Sequence, residues 1–177
     1  MILSHKNCIF NEFNDWVIEQ LDHIMVEDNL FYSGYSTIRS RNQIHKEYPD
    51  FEKYILNLCD DKDLFIKECW INVNPKNGYQ SVHDHSECDV AGTYYVCVPE
   101  NSGVLKFYNP APAVETLHRL KPYVEFTSTK VPNNGDIVFW HGYMKHEVTP
   151  NMSDDLRVSI SFMMDIPETV RWSRFSR

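Results

Sequence analysis

An α+β chain, mainly β, with its helices first and its strands afterwards, is what three features of this sequence predict. Apolar positions in the first third recur at helical spacing. From residue 64 onward the spacing becomes that of short strands, and Pro, Asn and Gly punctuate this second part at close intervals. The 177 residues suffice for one domain with a real core and are too few for two comfortable ones. We therefore expect a single domain with a helical N-terminal layer over 1–62, a β core over 63–166 and a C-terminal tail over 167–177.

Taken in order, Phe13, Val17, Leu21 and Ile24 form the stripe of an amphipathic helix, with Asn11 as its N-cap and an end near Asp28 or Asn29. The polar, turn-rich stretch YSGYSTIRSRNQ follows. Ile44, Tyr48, Phe51, Ile55 and Leu58 repeat the helical pattern, and Pro49 places the better-formed part at its own first turn. Both helices are expected to cover one face of a sheet. LFIKECWINVN, VHDHSECDVAGTYYV, SGVLKFYN, YVEFTSTKV, GDIVFWHG and LRVSISFMM are rich in β-branched and aromatic residues. They predict a sandwich or barrel, and the seven or eight strands expected from this part of the chain suit a jelly roll of about eight.

Aromatic residues make up 14% of the chain, which favours a packed β-rich core over disorder. The formal net charge of -8 and the scattered Lys and Arg argue against nucleic acid as a partner. Cys8, Cys59, Cys69, Cys88 and Cys97 form no CxxC pair and read as reduced thiols of a cytoplasmic protein. MILSHKNCIFNEFNDW lacks the build of a signal peptide, and no apolar run approaches the roughly 18 residues of a membrane span.

His83 and His85 stand one residue apart, and on a strand both imidazoles would point to the same face, as metal ligands require. Alone the pair means little, since eight histidines in the chain will sometimes fall so on a wet surface. Downstream, however, come His146 and then Arg157, whose strand alternates Arg157, Ser159 and Ser161 with Val158, Ile160 and Phe162. A polar face on a buried strand needs partners, and a substrate carboxylate would meet a buried guanidinium in bidentate geometry. Asp154 and Asp155 lie just outside that strand and are poorly placed to do so. His141 is the rival of His146, with a surface aromatic cluster as its ordinary explanation. Asn72 and Asn74 share one strand face, to line a pocket or to sit at an edge. His5, His23, His45 and His118 have no patterned partner.

His83-Asp84-His85, His146 and Arg157-Val158-Ser159 together resemble the iron- and 2-oxoglutarate-dependent oxygenases. These carry a His-x-Asp/Glu pair, a distal His and an Arg-x-Ser about ten residues beyond it. WINVNPKNGYQSVHDHSECDVAGTYYVCVPENSG and KVPNNGDIVFWHGYMKHEVTPNMSDDLRVSISF resemble a bacterial and phage subgroup related to prolyl hydroxylases. The likeness covers roughly residues 64 to 165.

That resemblance implies a double-stranded β-helix (a cupin-like jelly roll) with the N-terminal helices packed on one sheet. It also implies a dioxygenase using Fe(II), 2-oxoglutarate and O2 to hydroxylate its substrate, releasing succinate and CO2. His83 and His146 would ligate the metal. Arg157 would clamp the distal carboxylate, Ser159 and Tyr95 would donate to it, and Asn74 would line the same pocket. His85 departs from the pattern, because it stands where the family has a carboxylate. Strand parity favours a three-His site, with Asp89 the alternative ligand through the Glu87-Cys88-Asp89 loop, Asp84 pointing away, and Cys88 close to the iron. The rival readings are a cupin-like three-His dioxygenase that does not use 2-oxoglutarate and a non-catalytic jelly-roll binding protein. The substrate would be a small molecule or a protein residue, chosen by lids from 29–45 and 109–121. Homodimerisation is left open.

Overall fold

The computed structural model describes residues 2–6, 8, 10–27, 29–30, 34–110 and 127–175. Along the chain come β1 (Ile2–His5), α1 (Asn11–Glu19), α2 (Leu21–Glu27), β2 (Asn29–Leu30), β3 (Gly34–Ser36), α3 (Ile44–Glu47) and α4 (Pro49–Asn57). Then follow β4 (Phe65–Asn74), β5 (Gln80–His83), β6 (Val90–Cys97), β7 (Leu105–Tyr108), β8 (Thr127–Lys130), β9 (Ile137–His141), β10 (His146–Val148), β11 (Arg157–Asp165) and α5 (Glu168–Phe175). The strands form two antiparallel sheets, a larger one in the order β1-β9-β6-β11-β4-β3-β2 and a smaller one in the order β5-β10-β7-β8.

The larger sheet has two differently built faces, and alternation along its strands separates them. Ile71 and Val73 of β4, Tyr94 and Val96 of β6, Ile137 and Phe139 of β9, and Val158, Ile160 and Phe162 of β11 point outward. They pack under Phe13, Val17, Ile24, Ile44, Phe51 and Ile55 of the helices. Phe13 and Phe51 stack at 4.2 Å between ring centroids, so α1 and α4 meet over the sheet. The opposite face looks toward the smaller sheet across Trp70, Tyr95, Leu105, Phe107 and Trp140.

Several expectations change. The first helix does not run unbroken to Asp28 or Asn29. Gln20 N–H turns back to Val17 O at 3.1 Å, a tightened turn that closes α1 before α2 begins. Asn11 is the first helical residue and not the cap. Phe10 takes the cap position without a side-chain cap bond, and its own N–H is met by the Tyr94 hydroxyl at 3.3 Å. An aromatic contact, with Phe10 stacked on Tyr54, holds this helix start in place of a polar cap. The break at Tyr48 and the restart at Pro49 match the expectation.

The N-terminal part is not purely helical, because β1, β2 and β3 join the larger sheet. β1 and β2 form its two edges, with two to four residues each, too short for a period to be legible. The tail carries a helix, α5. The strand expected from YVEFTSTKV is described only from Thr127, and residues 111–121 of the expected lid and His118 lie outside the described residues.

Candidate functional site

Between the sheets lies a cavity of about 390 Å³. The smaller sheet brings histidines to one part of its wall, and the larger sheet brings polar side chains to another.

Antiparallel pairing of β10 with β5 sets His146 directly opposite His83. Cross-strand partners on one face stand close enough to touch, and these two rings lie 4.2 Å apart. In each ring Nδ1 faces a backbone carbonyl two residues back, Ser81 O at 2.8 Å from His83 and Met144 O at 3.0 Å from His146. A carbonyl only accepts, so Nδ1 carries the proton and the Nε2 lone pair is left for another partner.

His85 joins them by a different route. β5 ends at His83, so strand parity does not govern His85. Its backbone N–H instead donates to Gly142 O at 2.8 Å, and Gly142 N–H donates to Asp89 O at 3.1 Å. A Cβ on Gly142 would stand 2.2 Å from Cys88 O and 2.3 Å from His85 O, so only glycine allows the loop and the turn before His146 to lie this close. His85 packs its ring against Trp70 at 6.1 Å. The three histidines each offer a nitrogen within 4.8 Å of the others. Burial, then the neighbouring His83, pulls His85 down to about 4 and His146 down to about 3, so both stay neutral at ordinary pH and keep a free lone pair.

Pairing of β11 with β4 and β6 lines up the other wall. Arg157 sits opposite Asn74, Ser159 opposite Asn72 and Tyr95, and Ser161 opposite Trp70 and Thr93. All of these side chains line the cavity. Arg157 is only 2% exposed, yet none of the salt bridges among the described residues involves it. It donates to Ser102 O at 2.8 Å and to Asn74 Oδ1 at 3.1 Å, and its Nε has no partner. Burial lowers its pKa, although a guanidinium remains charged, and burial pushes the Tyr95 hydroxyl up to about 12, so it remains a neutral donor. A buried cation with spare N–H donors and no acid is a built-in demand for an anion.

Asp89, the alternative third ligand, is not in this cluster. Its carboxylate receives Arg171 of α5 at 2.9 Å and the Ile166 N–H at 3.0 Å, which hold it against the C-terminal segment. Asp84 accepts from Ser86 N–H, and hydrogen bonding from Ser86, first from its side chain and then from this N–H, lowers its pKa. His141 is exposed and stacks on Tyr143, so it is no rival to His146. Asp154 pairs with Lys76, away from Arg157. Cys88 is buried, bonded to Val90 O and pushed up to about 12 by burial, and it is outside the histidine cluster.

Four contributors went unseen in the sequence. Trp70 and Trp140 wall the histidines, Trp140 at 4.8 Å from the His146 ring. Ser102 supplies a carbonyl from a loop, and Gly142 supplies closeness. The Trp residues alternate with core positions on β4 and β9 and were readable as inward-facing. The contact of Ser102 with Arg157, 55 residues away, carried no local signal.

A family model described as "Putative 2OG-Fe(II) oxygenase" matches residues 68–163, more than half of the chain. Searched against curated proteins, the sequence has no match. Among solved structures, the non-heme alpha ketoglutarate dependent epimerase SnoN from nogalamycin biosynthesis is similar with a TM-score of 0.68 and 12% identity, covering 93% of this chain and 78% of that one. HygX from Streptomyces hygroscopicus, solved with nickel and 2-oxoglutarate bound, gives 0.63 and 11%, covering 94% and 82%. A Pseudomonas putida prolyl-4-hydroxylase gives 0.62 and 12%, covering 92% and 91%. At such identities the shared property is the fold.

Proposed function

Because the chain belongs to the 2-oxoglutarate/Fe(II) oxygenase family, we propose that it is a single-domain dioxygenase on a double-stranded β-helix that hydroxylates its substrate. His83, His85 and His146 hold the iron in this reading, and Arg157 with Tyr95, Ser159 and Asn74 holds the cosubstrate. The observation that carries it is the buried Arg157, with no acid partner, sharing one cavity with three clustered histidines.

The residues fit the two ligands on separate grounds. Three imidazoles with nitrogens this close form a donor set for a divalent transition metal, and the carbonyls of Ser81 and Met144 fix the tautomer that ligation needs. Arg157 presents donors in the fork geometry that a carboxylate matches. Bound Fe(II), with O2, supplies the oxidative chemistry, in which 2-oxoglutarate is decarboxylated to succinate and CO2 and one oxygen atom passes to the substrate.

The chain's own work is to bind, orient and exclude water. Arg157 fixes the distal carboxylate, and Asn74 aims the guanidinium through the bond to its Nη2. The Tyr95 hydroxyl and the Ser159 hydroxyl add neutral donors on the same face. Trp70, Trp140 and Phe107 shut water from the histidines on the inner side, and Tyr35, Ile38, Tyr79 and Val82 leave a largely apolar rim for substrate. A three-His dioxygenase working without 2-oxoglutarate would leave Arg157 without a purpose. A non-catalytic binding protein would leave the paired tautomers without one.

The test is succinate formation from 2-oxoglutarate under air, with and without Fe(II), against a panel of small molecules and proline-containing peptides. Succinate that depends on Fe(II) is expected. Protein that holds both ligands and yields none with any substrate would contradict the reading.

A further inference from the structure

The wall of the cavity contains no Asp or Glu among the described residues, and Arg157 is its one permanently charged side chain. Of the acids nearby, Glu87 acts on His85 but is exposed on the loop outside the cavity wall, and the others are engaged elsewhere. Asp84 caps Ser86 N–H, Asp89 is clasped by Arg171, Asp136 accepts from Asn133, and Glu147 is held by Lys106 and Tyr108. Any metal bound by His83, His85 and His146 therefore keeps both of its positive charges, with a guanidinium in the same half-open cavity.

The charge count turns on position 85. A carboxylate there would leave the metal, its ligands and Arg157 with two positive charges in total, which the 2-oxoglutarate dianion cancels. With the neutral His85 there are three, so the site without the dianion is more highly charged and remains cationic with it. Concentrating like charge in a partly desolvated cavity is costly, and an incoming dianion relieves that cost.

We propose that His85 makes metal binding and 2-oxoglutarate binding strongly interdependent, so that the protein loads its metal effectively only when 2-oxoglutarate is present. This rests on the function proposed above and adds a regulation of the same site, in which cosubstrate level controls metal occupancy. Linkage requires the effect to be reciprocal, so the metal raises 2-oxoglutarate affinity by the same factor. The coupling is on the order of a hundredfold, near the upper end of ordinary couplings between sites. Some coupling would exist in any site where 2-oxoglutarate chelates the metal, and the part due to His85 is the excess over a carboxylate at that position.

The experiment is anaerobic calorimetric titration of the full chain with Mn(II), in the absence of 2-oxoglutarate and at its saturation, and the reciprocal titration of 2-oxoglutarate with and without Mn(II). His85→Asp and His85→Glu are measured alongside, the second because its longer side chain has nearly the reach of an imidazole. The wild-type affinity for Mn(II) should rise on the order of a hundredfold with 2-oxoglutarate, and by the same factor in the reciprocal titration. At least one carboxylate variant should bind Mn(II) more tightly than wild type without 2-oxoglutarate and show a coupling reduced to roughly tenfold or less. Wild-type coupling below about tenfold, or equal to that of both carboxylate variants, overturns the inference and leaves the proposed function standing. Absence of Mn(II) binding under every condition overturns the proposed function itself, and the inference with it.

Discussion

The two ends of the cavity are built by different means. At the Arg157 end, three neighbouring strands of the larger sheet lay their side chains on one face, with Arg157 opposite Asn74, Ser159 opposite Asn72 and Tyr95, and one register shift between β11 and β6 at Val158/Ser159. At the histidine end only His83 and His146 are placed by strand pairing, while His85 arrives on a loop stitched to Gly142 and secured further out by Asp89 and Arg171. The first end is part of the sheet and should be as rigid as the sheet is. The second depends on a few loop hydrogen bonds and on one residue without a side chain, so it should be the more easily disturbed.

The comparison predicts a graded set of losses. His146→Ala should have the largest effect, removing a proposed ligand fixed both by its pairing with His83 and by Met144 O. Metal analysis after anaerobic loading should find the variant essentially empty, and full occupancy would show that the histidines do not hold metal. Arg157→Met keeps much of the buried volume and removes the charge, so it should weaken 2-oxoglutarate binding by a hundredfold or so at a given saturating metal concentration. Calorimetry on metal-loaded protein checks it, and unchanged binding would detach this end from the cosubstrate.

Gly142→Ala tests the loop. Its Cβ would meet two backbone oxygens that cannot move without shifting His85, so metal affinity should fall roughly tenfold or more while Arg157 and its neighbours stay in place. A metal titration that matches wild type would mean that the loop is not positioned by this contact. Arg171→Met should act more weakly in the same direction, by a fewfold, since the pair it forms with Asp89 is partly exposed.

A last prediction concerns the helix-covered face. His45 is fully buried with its Nε2 3.9 Å from a Glu52 carboxylate oxygen, and burial outweighs that carboxylate in lowering its pKa. The unfolded chain takes up a proton near pH 6.5, where the folded His45 resists it, so protons favour the unfolded state and stability falls as pH drops below that value. His85 and His146 of the metal-free protein act in the same sense. His45→Leu should remove one share of that loss, visible as a shallower decline of the urea midpoint below pH 6.5 than in wild type.

Much of the Arg157 end was legible in the sequence, because strand alternation is local. Arg157, Ser159 and Ser161 against Val158, Ile160 and Phe162 separates two faces without reference to any other segment, and Asn72 and Asn74 do the same on β4. The histidine end was legible only as a pattern of residues. β10 has three residues, too few to be read as a strand, so the pairing that places His146 opposite His83 carried no signal. Parity placed His85 in the right corner for the wrong reason, since the strand stops at His83 and Gly142 does the placing. Asp89 remained a candidate because Arg171, which occupies it, lies 82 residues away. Contacts of that range come from the tertiary arrangement and not from any periodicity.

The central claim, that one cavity holds a metal at its histidine end and 2-oxoglutarate at its arginine end, is tested most directly by anaerobic dialysis against Fe(II) and 2-oxoglutarate, counting both ligands per chain in wild type and in Arg157→Met. Wild type should retain both in equal number, and Arg157→Met should lose 2-oxoglutarate while still taking up iron from an excess. Wild-type protein that retains no iron with 2-oxoglutarate present, or an Arg157→Met variant that holds 2-oxoglutarate as wild type does, would contradict the account.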